Sequence, residues 1–347
     1  MGLGSTTASA SLLKVADLPL ADLPIINLAP VLYNPSQSER DRAAALATVG
    51  AQVRSACLDT GFFMVQGHGI SASVLASVFE HAGRFFDLPP AEKAAFAKDI
   101  SKGVNTGYFG VGEENLDPQN QPKGDFKEGY DLNRQLGPED PNYASDSLPM
   151  KRIMLQYFES ATELGNTLLS VFEHALGIPV GTLAPFFAEP MTMLRCLRYH
   201  PSVPPISVSQ LGCGAHTDYG AFAILAQDAP GLQLFDHKRD SWLRVPHIPD
   251  TLIVNIGDIL SRWTNGSFVS TVHRVLNVAD NDKEDQEDRS RPAKVRHSLV
   301  FFYEPAADTV VDVLDPWIGS EGKKFLPIRF GDHLDNMYRQ SYLATKT

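Results

Sequence analysis

Cysteine is scarce in this chain of 347 residues. Cys57, Cys196 and Cys213 lie far apart and form no Cys-x-x-Cys pair. An odd, scattered set of three excludes a disulfide framework and suits a reducing compartment, so a cytoplasmic location is expected. Basic charge is also short: 30 Lys and Arg face 41 Asp and Glu, for a net charge of −11. With no Lys/Arg stripe, nucleic acid is not expected as a partner. No apolar run approaches the roughly 20 residues that cross a bilayer, so no membrane span is expected. The opening "MGLGSTTASASLLK" has no apolar h-region of a secretory signal. It fits a myristoylation pattern through Gly2 and Thr6, and its lack of acidic residues before Asp17 also suits a transit peptide. The plain reading is a flexible tail over residues 1–20. There is no Gly-x-Ser-x-Gly for a serine hydrolase, and "YFGVGEEN" (108–115) lacks the Gly-x-Gly-x-x-Gly of a phosphate loop.

What the chain does contain divides by pattern. Ser38 to Asp59 reads as a helix, with Ser38 as N-cap and Gly61 just past the end. "FFMVQGHGI" (62–70) reads as a strand entering a glycine turn, and 71–87 and 90–98 as two further helices. The stretch 99–148 is weakly periodic and rich in Gly, Pro, Asn and Asp, the pattern of a long loop. Residues 150–176 carry apolar side chains at helical spacing from Ile153 to Ala175. After residue 190 the runs become short, β-branched and aromatic: 193–200, 212–216, 221–226, 231–236, 242–245, 251–256, 268–276 and 296–303. A last helix is expected at 331–343. The fold class is therefore α+β, with helices buttressing a β-sandwich or barrel. One compact unit is expected, comprising an N-terminal region (21–148), a buttressing helix and connector (149–189), a β-core (190–310) and a C-terminal segment (311–347).

Three short pieces carry chemistry. "GAHTDYGAFAIL" (214–225) places His216 and Asp218 two positions apart, where strand alternation aims both at one point. A lone His-x-Asp is also compatible with a cap or a surface turn. "STVHRVLN" (270–277) adds His273 on a separate β-type run. Two imidazoles and one carboxylate on adjacent strands make a facial triad that leaves positions open on Fe(II). In "VRHSLVFFYEP" (295–305), Arg296 and Ser298 again share a face. A guanidinium aimed into a β-core is costly unless it meets an anion. A core carboxylate there would make Arg296 structural; a ligand carboxylate would be gripped by Arg296, with Ser298 donating.

Together these motifs resemble the isopenicillin N synthase-like group of the Fe(II)/2-oxoglutarate-dependent dioxygenases. "LPIINLAPVL", "SACLDTGFFMVQGHGI", "HTDYG", "GLQLF", "VNIGDIL", "STVHRV" and the Arg-x-Ser pair follow that family's order over most of the chain. The resemblance implies a double-stranded β-helix (jelly-roll) core holding Fe(II) by His216, Asp218 and His273. It implies 2-oxoglutarate as cosubstrate, its distal carboxylate on Arg296 and Ser298, with O2 consumed and succinate and CO2 released. The expected reaction is hydroxylation or desaturation of a small organic molecule. Same-fold oxidases that do not consume 2-oxoglutarate also keep Arg-x-Ser, and a non-catalytic sensor would keep the fold, so both stay open here.

Two places depart from the family's pattern. "LRYHPS" (197–202) puts His200 where a tyrosine commonly precedes the proline. Either His200 takes over the cosubstrate contact or a bulge presents Tyr199. The acidic run 279–294 is unusually long and reads as a solvated loop. Family analogy names Tyr108, Phe109, Tyr219 and Phe301 as substrate candidates. His68, Asn255 and Asp258 read as turn or hydrogen-bonding residues, and Lys127 and Glu128 as orienting the 99–130 loop. The identity of the substrate and the oligomeric state are not readable from these residues.

Overall fold

The computed structural model describes residues 18–32, 34–99, 106–133, 150–201, 211–276 and 295–343. The expectations placed on the first 17 residues and on the run 279–294 lie outside them. The N-terminal part alternates short strands and helices: β1 (Ile25–Asn27), α1 (Glu39–Asp59), β2 (Phe62–Gln66), α2 (Ala72–Phe86), α3 (Pro90–Ala94), β3 (Gly107–Phe109) and β4 (Lys127–Asn133). The long helix α4 (Lys151–Leu176) then leads into β5 (Met191–Tyr199), β6 (Cys213–His216), β7 (Phe222–Gln227), β8 (Leu232–Asp236), β9 (Ser241–Arg244) and β10 (Leu252–Ile256). After α5 (Asp258–Trp263) come β11 (His273–Val275), β12 (Arg296–Glu304), the small pair β13 (Val310–Val311) and β14 (Ile328–Arg329), and α6 (Phe330–Leu343).

Local chemistry explains where the helices begin and end. The Ser38 hydroxyl accepts from the Asp41 backbone N–H, satisfying one of the orphan donors at the start of α1. Gly177 closes α4 at φ 74°, a left-handed conformation that costs glycine no steric penalty. One stripe of α4, including Met154, Tyr157, Leu164, Leu168 and Phe172, is buried. Burying each such side chain contributes about 1.5–3 kcal/mol.

Eight strands form one sheet in the order β1-β2-β10-β7-β12-β5-β4-β3, and four form a second, β6-β11-β8-β9. Alternation divides the central strands β2, β10, β7, β12 and β5 of the large sheet between two cores. On β12, Leu299, Phe301 and Tyr303 face the helices and join the core built around α4. The other face of that sheet contributes Leu197, Tyr199, Leu225 and Val300. They pack with Leu232, Leu234 and Val275 of the small sheet, so the two sheets enclose a second core. This is the α+β jelly-roll arrangement expected from the sequence, with helices at both ends.

Three expectations need correction. The stretch 99–148 is not simply loop: it contains β3 and β4, and β4 pairs along its length with β5. Its polar residues hid it, because they are buried as ion pairs rather than exposed. The strand expected over 268–276 is only His273–Val275, since Ser270 and Thr271 bond instead to Asp258 and to the Thr60 carbonyl. The helix expected over 90–98 stops at Ala94, where residues 96–98 turn to bond with Tyr108.

Candidate active site

β6 and β11 are antiparallel neighbours with His273 opposite His216 in register. Their imidazole centroids stand 4.3 Å apart. Asp218, just past the end of β6, brings Oδ1 within 3.8 Å of His216 Nε2 and 3.7 Å of His273 Nε2. One ligand atom from each of the three lies within 4.8 Å of the others, the size of a single-ion site. Among the described residues no other group of three His, Cys, Asp or Glu side chains does this.

The surroundings prepare those atoms for a cation. His216 Nδ1 sits 2.8 Å from the Gly214 carbonyl oxygen, and His273 Nδ1 3.0 Å from that of Thr271. A carbonyl only accepts, so each Nδ1 carries the hydrogen and each Nε2 keeps its lone pair. Burial and the neighbouring His216 push the His273 pKa down to about 4, which keeps that ring neutral. The second Asp218 oxygen accepts from the Asn255 side-chain amide, so Asn255 orients a candidate ligand. Two imidazoles and one carboxylate match the donor set of a non-haem Fe(II) site.

Arg296 and Ser298 are both fully buried, facing the inter-sheet core from β12. Arg296 Nε donates to the Ala229 carbonyl (3.1 Å) and Nη2 to Gln227 Oε1 (3.0 Å). Nη1 has no partner, and among the described residues no carboxylate makes an ion pair with this guanidinium. The chain thus buries a charge beside neutral acceptors alone. Gly231, at φ 146°, makes room for it; a Cβ there would stand 3.0 Å from Arg296 Cδ.

Tyr199 shares the face of Arg296 without a bulge in the strand. β5 and β12 stay in continuous register, Arg296 pairs with Tyr199, and the guanidinium lies over the tyrosine ring at 4.6 Å. Ser298 Oγ, on the same face, is buried without a hydrogen-bond partner among the described residues. His200 lies beyond the strand end, with Nε2 3.2 Å from Glu128 Oε1 and its ring against Phe126.

Comparison with known proteins agrees with this geometry. Residues 23–152 match the family model described as the N-terminal region of non-haem dioxygenase in morphine synthesis, and 188–305 match the 2OG-Fe(II) oxygenase superfamily. The 2-oxoglutarate-dependent dioxygenase caaD of Aspergillus niger is 36% identical over 252 residues, covering 68% of this chain and 75% of that protein. Clavatol oxidase claD of Penicillium crustosum is 30% identical over 95% of this chain and 99% of its own length. The chain belongs to the Fe(II)- and 2-oxoglutarate-dependent dioxygenases. In fold it is also similar to Neurospora crassa T7H, solved with α-ketoglutarate and thymine, at TM-score 0.73 and 23% identity over 92% of this chain and 97% of that one. Its activity is accordingly the oxidation of a small molecule coupled to conversion of 2-oxoglutarate into succinate and CO2.

A cavity in this dioxygenase opens onto His216 and Asp218, and it separates the substrate candidates. Tyr219 lines it, beside Tyr338 of α6, with ring centroids 6.3 Å apart. Phe301 does not; it packs edge-on against Phe158 in the helix-side core. Phe302 lines the cavity instead. The alternation that pairs Arg296 with Ser298 continues through Val300, Phe302 and Glu304, so the sequence held the signal for the phenylalanine that faces the cavity. Tyr108 is occupied by Glu128, to which its hydroxyl donates at 2.8 Å, and Phe109 is buried under Lys98 and Arg195. Neither reaches the cavity wall.

Sequence reasoning missed two acids and a base on that wall: Glu114, Arg195 and Glu304. Arg195 donates from Nη1 to Glu114 (2.8 Å), and from Nε (2.9 Å) and Nη2 (2.8 Å) to Asp131. Lys127 pairs with Glu114 (2.7 Å) and Asp125 (2.6 Å), and Lys98 with Asp131. Burial alone would raise the Glu114 pKa, but Arg195 and Lys127 hold it well below the usual carboxylate range. Glu304 makes no such pair, and burial, reinforced by Asp218, pushes its pKa up to about 8. Only two-position alternation along β5 and β12 could have pointed to Arg195 and Glu304; Glu114 arrives from a loop distant in sequence.

Among the described residues no helix is long and apolar enough to cross a membrane.

Proposed function

We propose that His216, Asp218 and His273 hold Fe(II) through Nε2, Oδ1 and Nε2, and that Arg296, Ser298 and Tyr199 receive the distal carboxylate of 2-oxoglutarate. The observation that carries this reading is the Arg296 guanidinium, fully buried, with Nη1 unpartnered and no carboxylate of the described residues paired to it. A buried cation in that state calls for an anionic ligand, and a bidentate carboxylate fits its fork. Bound there, Fe(II), 2-oxoglutarate and O2 supply the oxidising power that the side chains lack.

The chain's own part is to bind, orient and keep dry. Asn255 fixes the Asp218 carboxylate, and the Gly214 and Thr271 carbonyls fix the two imidazole tautomers. Tyr199 closes one side of the cosubstrate pocket, while His200 belongs to Glu128 and takes no share in it. The prime substrate, a small organic molecule hydroxylated or desaturated, occupies the cavity walled by Tyr219, Phe302 and Tyr338. All three cysteines are buried free thiols, which supports a reducing, cytoplasmic setting.

Anaerobic titration of the protein with Fe(II) and 2-oxoglutarate tests the assignment. A visible charge-transfer band of the chelate is expected in wild type, absent in Asp218→Ala, and shifted to much higher 2-oxoglutarate concentration in Arg296→Ala. An unchanged requirement in Arg296→Ala would refute the carboxylate role given to that residue.

A further inference from the structure

Glu304 stands at the end of β12, on the face that carries Arg296, Ser298 and Phe302. It is only 8% exposed, lines the cavity above His216 and Asp218, and makes no hydrogen bond or ion pair with any described residue. Gly220 makes its position possible, because a Cβ there would stand 2.3 Å from Glu304 Oε1. Close by, the other charges of the cavity wall cancel. Lys98, Lys127 and Arg195 face Asp125, Glu114 and Asp131 in one connected network. The proposed iron centre balances likewise, Fe(II) and Arg296 against Asp218 and a dianionic cosubstrate. Among the described residues Glu304 is left as the one carboxyl lining the cavity with no cation opposite it. Burying its ionised form without a partner is costly, so it becomes a carboxylate when a ligand brings a cation to it.

We propose that Glu304 is a specificity-determining residue that selects a substrate carrying a basic nitrogen, its carboxylate accepting from the protonated amine while the apolar body lies against Phe302 and Leu334. The aromatic faces of Tyr219 and Tyr338 beside it add cation–π attraction for the same group. This inference rests on the dioxygenase reading of the site and deepens it by naming a substrate class.

Three probes of one shape test it: protonated 2-phenylethylamine, neutral 2-phenylethanol and anionic phenylacetate. Each is titrated anaerobically into the protein loaded with Fe(II) and 2-oxoglutarate, and binding is followed by calorimetry and by perturbation of the charge-transfer band. The amine is expected to bind at least about tenfold more tightly than the alcohol, and phenylacetate most weakly. Glu304→Gln, which keeps the shape and removes the charge, is expected to bring the amine-to-alcohol ratio close to one while leaving Fe(II) and 2-oxoglutarate binding unchanged. The wild-type ranking decides the matter even without a folded variant. The proposal is overturned if wild type shows no preference for the amine, including failure of all three to bind at millimolar concentration. It is also overturned if Glu304→Gln weakens all three equally, or if it loses Fe(II) and so marks Glu304 as a metal ligand. Failure of the charge-transfer band to form in wild type would instead sink the assignment of iron and cosubstrate.

Discussion

Arg195 and Arg296 face the same inter-sheet interior from neighbouring strands, yet their surroundings differ in kind. Arg195 is held by two carboxylates, Asp131 and Glu114, themselves tied to Lys98 and Lys127. Arg296 has only a backbone carbonyl and the Gln227 amide oxygen, with one nitrogen free of any partner. The first cation is satisfied by the protein and braces the wall between β4 and β5. The second has no counter-ion among the described residues, which is the basis for the proposed cosubstrate carboxylate there. Burial is shared by both, so burial says nothing of role; the identity of the partners does.

The largest effect that would test this division is at the metal site. Asp218→Ala is expected to lower turnover by more than about 100-fold, beyond what loss of a supporting residue around a metal costs. The fold should be retained, as measured by succinate release and circular dichroism. Next come the two arginines themselves. Arg195→Met leaves Asp131 and Glu114 short of a cation and is expected to cost about 3–5 kcal/mol in urea unfolding. Arg296→Met removes a charge with no counter-ion, so the ligand-free protein should be no less stable than wild type while its 2-oxoglutarate affinity falls at least about tenfold. Equal destabilisation by the two substitutions would erase the distinction.

Smaller effects follow. Asn255→Ala is expected to weaken Fe(II) binding about 10–100-fold by freeing the Asp218 carboxylate to rotate, measured by metal competition. The smallest concerns Glu128. Burial alone would raise its pKa, but hydrogen bonds from His200, Lys93 and Tyr108 outweigh that and hold it at about 2, against an ordinary 4.5. Its stabilisation is therefore complete above pH 4.5 and fades as pH falls from there through 2. In Glu128→Gln the unfolding free energy should change by about 1–2 kcal/mol less over that window, a figure discounted for screening near the surface. Identical pH profiles would exclude the ionised Glu128 pairing.

Much of this was legible in the residues. Two motifs in order gave His216 with Asp218 and then His273 as candidate ligands, and the antiparallel register of β6 and β11 brings the two histidines together. Period-two alternation gave Arg296 with Ser298. Continued through Val300 it would have chosen Phe302 over Phe301 as the residue facing the cavity. The Tyr199 question was harder, because Tyr199 and His200 each suit a strand end, and only pairing with β12 tells which one faces the guanidinium. β4 was hidden because "KEGYDLN" carries four polar or charged residues among its seven. A strand that buries its charges as ion pairs has no apolar pattern to read.

The sequence by itself pointed to the jelly-roll class through its resemblance to a family. Local spacing and strand alternation pointed to candidate ligands His216, Asp218 and His273 and to the Arg-x-Ser pair. Only the tertiary structure decided which buried charges are already paired. Glu114 and Asp131 reach Arg195 across 81 and 64 positions, while no cation of the described residues pairs with Glu304. Compensation between charges depends on distance in space, which spacing along the chain does not encode.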